Sequence, residues 1–137
     1  MGAIDHAVQI QDPIETPGQL RERFEGFLEL SRAVFWEQDE NYRFTLVASG
    51  SRAGRSLDAG IRLGSVRWDD GAIPVGDDGG WERHPALLDA RLPFIDFVFS
   101  RATVDGGFCY ISTSGQPVFD GTGRFRGYRG LARDVTT

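Results

Sequence analysis

The chain has 137 residues, a net charge of −5 and 40% hydrophobic residues, which is enough for one domain with its own core. No basic block is present to follow a phosphate backbone, so nucleic acid is not an expected partner, and no apolar run reaches the roughly 18 residues of a membrane span. The single cysteine, Cys109, excludes an internal disulfide and, with no signal-peptide pattern, favours a cytoplasmic location without membrane contact by this segment.

The N-terminal third begins with a segment, 1–15, that shows neither helical periodicity nor strand alternation and is predicted to be a flexible tail. Thr16 and Gln19 are placed to form a capping box, with Pro17 at the first helical position. An amphipathic helix is predicted over 16–32 because its apolar residues recur at helical spacing: Leu20, Phe24, Phe27 and Leu28. This stripe has to be covered by one face of a sheet or by a partner chain.

The next segment predicts a β-hairpin. Residues 33–38 and 42–49 are rich in strand formers and are separated by a turn at 39–41. The stretch 50–80 is dense in glycine and aspartate, which favours short helical turns between loops, with a mobile loop at 76–80.

A short helix and three strands complete the chain. A helix is predicted over 81–91, where Pro85 begins the regular part and Pro93 ends it. Strands follow at 94–103, 108–114 and 125–134. The order of elements favours an α+β fold with one five-stranded antiparallel sheet, helical connections on one face and the N-terminal helix on the other face or against a partner.

An ordered set of residues extends over 33–137 and is densest at its C-terminal end: Trp36, Glu37, Asp39, Arg43, Phe44, Trp81, His84, Ala90, Arg91, Pro93, Phe94, Asp96, Phe97, Gly115, Pro117, Phe119, Asp120, Gly123, Phe125, Gly127, Tyr128, Arg129, Gly130, Arg133, Asp134 and Thr136. This set resembles the PAS superfamily of sensor domains, of the kind found in bacterial histidine kinases and diguanylate cyclases. The chain departs from that pattern in two places. The stretch 50–80 contains more glycines than the family usually has, and Pro85 interrupts a helix.

The resemblance implies a PAS domain at 33–137 that senses or relays a signal in a bacterial two-component or related system and is not itself an enzyme. In the family, a sequence such as Asp134-Val135-Thr136 leads into a signalling helix. An effector domain, a histidine kinase or a diguanylate cyclase, is therefore expected after Thr137. The helix stripe described above is expected to support a homodimer.

The resemblance also suggests a ligand pocket on one face of the sheet. Strand alternation places Cys109, Ile111 and Thr113 on one face, whereas Phe108, Tyr110 and Leu131 are expected to meet the N-terminal helix. The candidate pocket residues are Trp36, Trp68, Phe97, Phe99, Cys109, Ile111, Thr113, Tyr128 and Gly130. A second interpretation stays open, in which the aromatic residues fill the core and no small-molecule ligand exists.

No cofactor or metal motif is evident. The flavin-linked cysteine motif of light sensors is absent around Cys109, and His84 precedes the position of a haem ligand, so it is expected to cap the helix at Pro85 or to pack locally. The acidic pairs at 69–70 and 77–78 lack the ligand spacing of a calcium loop. The glycines at 121–130 lie within and before a strand, which does not fit a dinucleotide fingerprint.

Two other functions remain open on the sequence. One is a ligand-free module that contacts only other proteins. The other is a small α+β enzyme with a cone-shaped cavity, an isomerase or a dehydratase, for which Asp96 and Tyr128 are the available acid–base pair.

Overall fold

The computed structural model describes residues 16–50, 61–69, 71–76, 81–103 and 105–136. The predicted tail at 1–15 and most of the predicted loop at 76–80 lie outside the described residues. The helices are α1 (Pro17–Ser31), a short 3₁₀ helix (Arg67–Asp69) and α2 (Arg83–Asp89). The strands are β1 (Val34–Gln38), β2 (Phe44–Ser49), β3 (Ile73–Pro74), β4 (Phe94–Ala102), β5 (Phe108–Phe119) and β6 (Phe125–Asp134).

All six strands form one sheet in the order β2-β1-β6-β5-β4-β3. Every neighbouring pair is antiparallel, which confirms the predicted sheet type and the α+β class. The predicted count of five strands is wrong, because β3 pairs with Phe99 and Ser100 at the edge of the sheet. A strand of two residues is too short to show the alternation from which strands are predicted.

The strand β5 is longer than predicted and contains Pro117. Its pairing with β4 begins at Gly115, whereas its pairing with β6 continues to Phe119. Pro117 therefore lies where β5 has a neighbour on one side only, and the amide hydrogen that proline lacks is not needed for a second ladder.

The core lies on one face of the sheet, called here the inner face. It is covered by α2, through the buried residues His84 and Leu88, and by the described residues before β3, of which Arg67 and Ala72 are buried. The buried hydrophobic cluster on this face comprises Val34, Trp36, Phe44, Ala72, Leu88, Phe94, Phe99, Cys109, Ile111, Tyr128 and Ala132. Alternation along β1 places Val34, Trp36 and Gln38 together on this side.

Helix α1 lies against the opposite, outer face. The Thr16 hydroxyl accepts from the Gln19 amide and the Gln19 side chain accepts from the Thr16 amide, as a capping box requires. The ring of Phe24 meets Phe35 edge-on at 5.4 Å, while Leu28 is the buried residue of the helix. Since most of its apolar stripe stays exposed, α1 covers the sheet incompletely.

Of the three residues expected to meet the N-terminal helix, only one does so. Leu131 lies in a groove beside Phe24 and Phe27, but Phe108 and Tyr110 are exposed. Helix α1 contacts chiefly β2, near the other edge of the sheet, and so it does not reach the start of β5. Among the described residues, no helix has the length and apolar character of a membrane span.

Candidate functional site

Trp36 lies at the centre of the inner face and is fully buried. Its indole nitrogen donates to the Thr113 hydroxyl at 2.9 Å, and that hydroxyl donates to the Leu131 carbonyl at 3.2 Å. The indole stacks on Phe94, with ring centroids 6.2 Å apart. These contacts link β1 to β4, β5 and β6 through one side chain.

The indole of Trp36 has room because two glycines face each other across β5 and β6. Gly115 and Gly130 are cross-strand partners, and a Cβ atom on either would lie 2.7 or 2.6 Å from the indole ring. Real Cβ atoms do not approach other atoms so closely, so only glycine, which has no side chain, fits at these two positions. The inward placement predicted for Gly130 is thus observed.

A buried arginine packs on the same aromatic group. Arg67, from the 3₁₀ helix, is 4% exposed, and its guanidinium carbon lies 4.6 Å from the centroid of Trp36 and 5.3 Å from that of Phe44. Its Nη1 atom donates to Nε2 of His84 at 2.9 Å. Cation–π contact and this hydrogen bond offset part of the cost of burying the charge.

The histidine partner is held in its neutral form. His84 is 4% exposed, and its ring stacks on Phe97 at 4.3 Å. Burial and, to a lesser extent, the charge of Arg67 lower the pKa of His84 from 6.5 to about 3. The prediction of local packing for His84 is therefore the one that the structure supports.

We expect acid to destabilise the domain through His84. As the pH falls below 6.5, the unfolded chain takes up a proton on this side chain, but the folded chain does not until about pH 3. Stability is thus fully present above pH 6.5 and is lost through this window, by up to about 1.4 kcal/mol per pH unit. Urea unfolding at several pH values, compared between wild type and His84→Gln, measures the difference. Identical pH dependence in both proteins would contradict it.

A small cavity on the inner face is lined by Arg67 and Arg101. Its volume is about 10 Å³, and its remaining walls are Trp36, Phe44, Ile61, Phe99, Thr113 and Ala132. This is the room that one water molecule needs. Its walls come from β1, β2, β4, β5 and β6 on the sheet side, and from Ile61 and Arg67 on the other side.

The nine predicted pocket residues all lie in or against the inner-face core. Trp36, Phe99, Cys109, Ile111, Thr113 and Tyr128 are buried, Trp68 and Phe97 are half-buried against them, and Gly130 adjoins the indole. Burial raises the pKa of the Cys109 thiol, in keeping with a role as a small apolar side chain. Whether these residues hold a ligand stays a prediction.

Sequence reasoning missed the polar part of the site. Arg67 and Arg101 are buried on the inner face, and so is Gln38, whose amide oxygen and nitrogen have no hydrogen-bond partner among the described residues. A signal for two of them was present, because Gln38 alternates with the inward residues of β1 and Arg101 with those of β4. For Arg67, within a glycine-rich stretch, no such signal exists.

The acid–base pair of the enzyme hypothesis is not assembled. The Tyr128 hydroxyl is buried on the inner face and donates to the Leu92 carbonyl at 2.8 Å, with the Leu88 carbonyl as a longer alternative acceptor at 3.3 Å, and burial raises its pKa to about 12. The Asp96 carboxylate instead accepts from the Ser112 hydroxyl at 3.2 Å. Ser112 alternates with the inward residues of β5, so the two groups belong to opposite faces of the sheet.

No metal centre is evident in the described ranges. No group of three or more histidine, cysteine, aspartate or glutamate side chains lies close enough there to hold an ion.

Comparison with known proteins gives a structural likeness without a sequence family. No protein-family model matches the chain, and no curated protein matches it significantly. Among solved structures, the chain is similar to an RNA-binding Light-Oxygen-Voltage receptor, with a TM-score of 0.59 and 17% sequence identity. The match covers 94% of this chain and 38% of the receptor chain. At this identity the likeness concerns the fold, and the chain therefore has a PAS-like fold.

Proposed function

We propose that the chain is a sensory PAS module of a bacterial signalling protein. It senses a small ligand or relays a conformational change to an attached histidine kinase or diguanylate cyclase, supports dimerisation and catalyses no reaction itself. One chain of contacts carries this proposal: Arg67 packs over Trp36, Trp36 donates to Thr113, and Thr113 donates to the backbone of β6. The strand β6 is the element that leads to the C-terminal end.

The residues that follow β6 are hydrogen-bonded to β5, which supports a relay through the sheet. The Val135 amide donates to the Tyr110 carbonyl at 2.8 Å, and the Tyr110 amide donates to the Thr136 hydroxyl at 2.8 Å. Tyr110 lies between Cys109 and Ile111, whose side chains belong to the inner-face core. A shift of β5 caused at the inner face would thus reach the residues that precede the effector.

An apolar groove on the outer face supports the proposal of a dimer. A groove of about 490 Å³ lies between α1 and the sheet, with walls that include Phe24, Phe27, Ile95 and Leu131. Contiguous exposed apolar surface of this kind is typical of contact sites. Of the four residues predicted to form the dimer contact, Leu28 is buried within its own chain, and the other three are exposed.

A fusion of the chain, through Thr137, to the catalytic core of a histidine kinase tests both parts of the proposal. We expect the unfused chain to be a dimer by sedimentation, and the fusion to phosphorylate itself at a rate that depends on the sensory module. The double change Phe24→Ala and Phe27→Ala is expected to lower both the sedimentation mass and the rate, because it removes two aromatic side chains from the groove.

The matched control is Leu30→Ala, which removes an exposed apolar side chain from the same helix but not from the groove. It is expected to leave mass and rate unchanged. An unchanged mass in the double variant would reject the α1 contact. A rate equal to that of the kinase core alone would reject the relay.

A ligand-free interaction module is the second candidate, and the packing of the inner face favours it. Trp36, Phe94 and Phe99 fill the space over the sheet, and the cavity beside them has the volume of one water molecule. On this alternative the fusion responds to a protein bound at the outer face, and no small molecule changes its rate.

A further inference from the structure

We propose that the groove on the outer face, between α1 and the sheet, binds a straight-chain monocarboxylate of medium length. The proposed sensory function names no ligand for this face, and the role of the ligand as a signal rests on that function. Three features support the site: the size of the groove, the order of polar and apolar residues on its floor, and its contact with the aromatic core.

The groove has the size of a small-molecule site, and its walls are described residues. Its volume is about 490 Å³, which lies within the roughly 300–1,000 Å³ of ligand pockets. One wall is formed by α1 and another by the start of β4, and the floor is the outer face of β1, β5 and β6. The large apolar side chains along it include Phe24, Phe27, Phe35, Pro93, Ile95 and Leu131. An unbranched hydrocarbon chain can therefore leave water in this groove.

Polar and apolar side chains lie in separate rows on the floor. Arg129 of β6 pairs with Gln116 of β5, and two residues further along β6, Leu131 pairs with Phe35 of β1. Residues two positions apart on a strand share a face and lie roughly 6.5–7 Å apart. A charged head beside Arg129 and Gln116 thus places its tail over Leu131 and Phe35, towards the ring of Phe24, which contacts Phe35.

The head group that fits the polar row is a carboxylate. Arg129 is the only charged residue among the described walls. Its side chain is exposed and forms no hydrogen bond or ion pair within the described part of the chain, not even with Glu37, its neighbour on β1. The planar fork of a guanidinium matches a carboxylate, and the Gln116 amide can add a further donor. Because this row is open to water, we expect the charge to contribute less to affinity than the apolar chain does.

The floor of the groove reaches the aromatic core. Phe94 belongs to the inner-face cluster, where it stacks on Trp36, and it also lines the groove. Gly115 and Gly130 line the groove as well, and a Cβ atom on either would overlap the Trp36 indole. Since these two positions have no side chain, little more than backbone separates the groove from the indole. A ligand in the groove therefore contacts the residues that position Trp36, at the centre of the proposed relay.

The ligand and a second copy of the chain would use the same walls. Phe24 and Phe27 line the groove, and they are the aromatic residues of the proposed dimer contact. A groove that holds a hydrocarbon chain cannot also take side chains of a partner. We therefore expect the ligand to dissociate the dimer, which is a change that an attached effector can detect.

Calorimetric titration of the chain with sodium octanoate, sodium butanoate and octanamide tests the site, at constant ionic strength and below the concentration at which octanoate forms micelles. We expect saturable binding of octanoate. Butanoate is expected to bind at least tenfold more weakly, because each buried methylene group contributes about a factor of four. Octanamide, which has no charge, is expected to bind at least threefold more weakly. No saturable binding of octanoate, or an equal affinity for either of the other probes, would overturn the proposal.

Two pairs of variants at exposed positions locate the binding. Arg129→Met is expected to weaken octanoate at least threefold and to leave octanamide unchanged, whereas its control Arg133→Met, on the same face of β6 but outside the groove, binds like wild type. Phe27→Ala is expected to weaken both probes, and its control is Leu30→Ala, on α1 but outside the groove. An octanoate affinity equal to that of the matched control, for Arg129→Met or for Phe27→Ala, would reject the site.

Sedimentation and the kinase fusion separate this site from the proposed function. We expect saturating octanoate to lower the sedimentation mass of the unfused chain. A dimer whose mass does not change at saturation would overturn the assignment of the ligand to the groove and leave the dimer standing. A chain that is monomeric throughout but binds octanoate would keep the site and reject the dimer. Binding by a chain whose fusion is unregulated would keep the site and reject the sensory role.

Discussion

The substitution Gly127→Ala is expected to remove more than about 4 kcal/mol of stability, a large part of the 5–15 kcal/mol that is typical of a domain. Gly127 has a φ angle of +132°, a conformation that residues with a side chain rarely adopt. A Cβ atom there would lie 2.0 Å from the Gln38 carbonyl oxygen and 2.8 Å from the Asp39 carbonyl carbon. Both are backbone atoms at the end of β1, so no side-chain rotation relieves the overlap.

Urea unfolding followed by circular dichroism measures this loss. The control is Gly123→Ala, in the turn between β5 and β6, where φ is +85° but no atom lies within 4 Å of the added Cβ. It has only the conformational cost of the left-handed region, roughly 1–2 kcal/mol. Equal losses for the two variants would mean that β6 and the end of β1 do not approach each other as described.

The substitution Trp36→Ala is expected to cost about 3–5 kcal/mol, the range for an aromatic side chain removed from a core. The indole is fully buried and contacts Phe44, Phe94 and the Arg67 guanidinium. Its removal leaves a cavity and takes the aromatic face away from a buried positive charge. Unfolding in urea, monitored by circular dichroism, gives the free-energy difference.

Two further variants help to interpret this loss of stability. Trp36→Phe keeps a ring against Phe94 but loses the hydrogen bond to Thr113, and we expect it to lose less stability than Trp36→Ala. Phe108→Ala, at an exposed position on the outer side of β5, is expected to change stability by no more than about 0.5 kcal/mol. If Trp36→Ala costs no more than Phe108→Ala, Trp36 is not the central contact of the core.

The sheet and the faces of its strands could be predicted because they depend on neighbouring residues. Alternation along 108–114 places Cys109, Ile111 and Thr113 on one face, which the resemblance to PAS domains predicts to point inward, and all three are buried. The hairpin at 33–49 and the strand at 94–103 were found in the same way. Two features could not be predicted in this way. The strand β3 has only two residues, which is too short for a periodicity, and in β5 the periodicity is interrupted by Pro117.

The sequence by itself determined the three strands of the C-terminal half and the alternation of side chains along them, since these follow from residues two to four positions apart. Only the tertiary structure decided that Arg67 is buried against Trp36 and bonded to His84, and that Trp36 bonds to Thr113, which is 77 positions away. An arginine in a glycine-rich segment has the same local pattern whether it is solvated or buried. Its environment is set by side chains that only the folded sheet brings together.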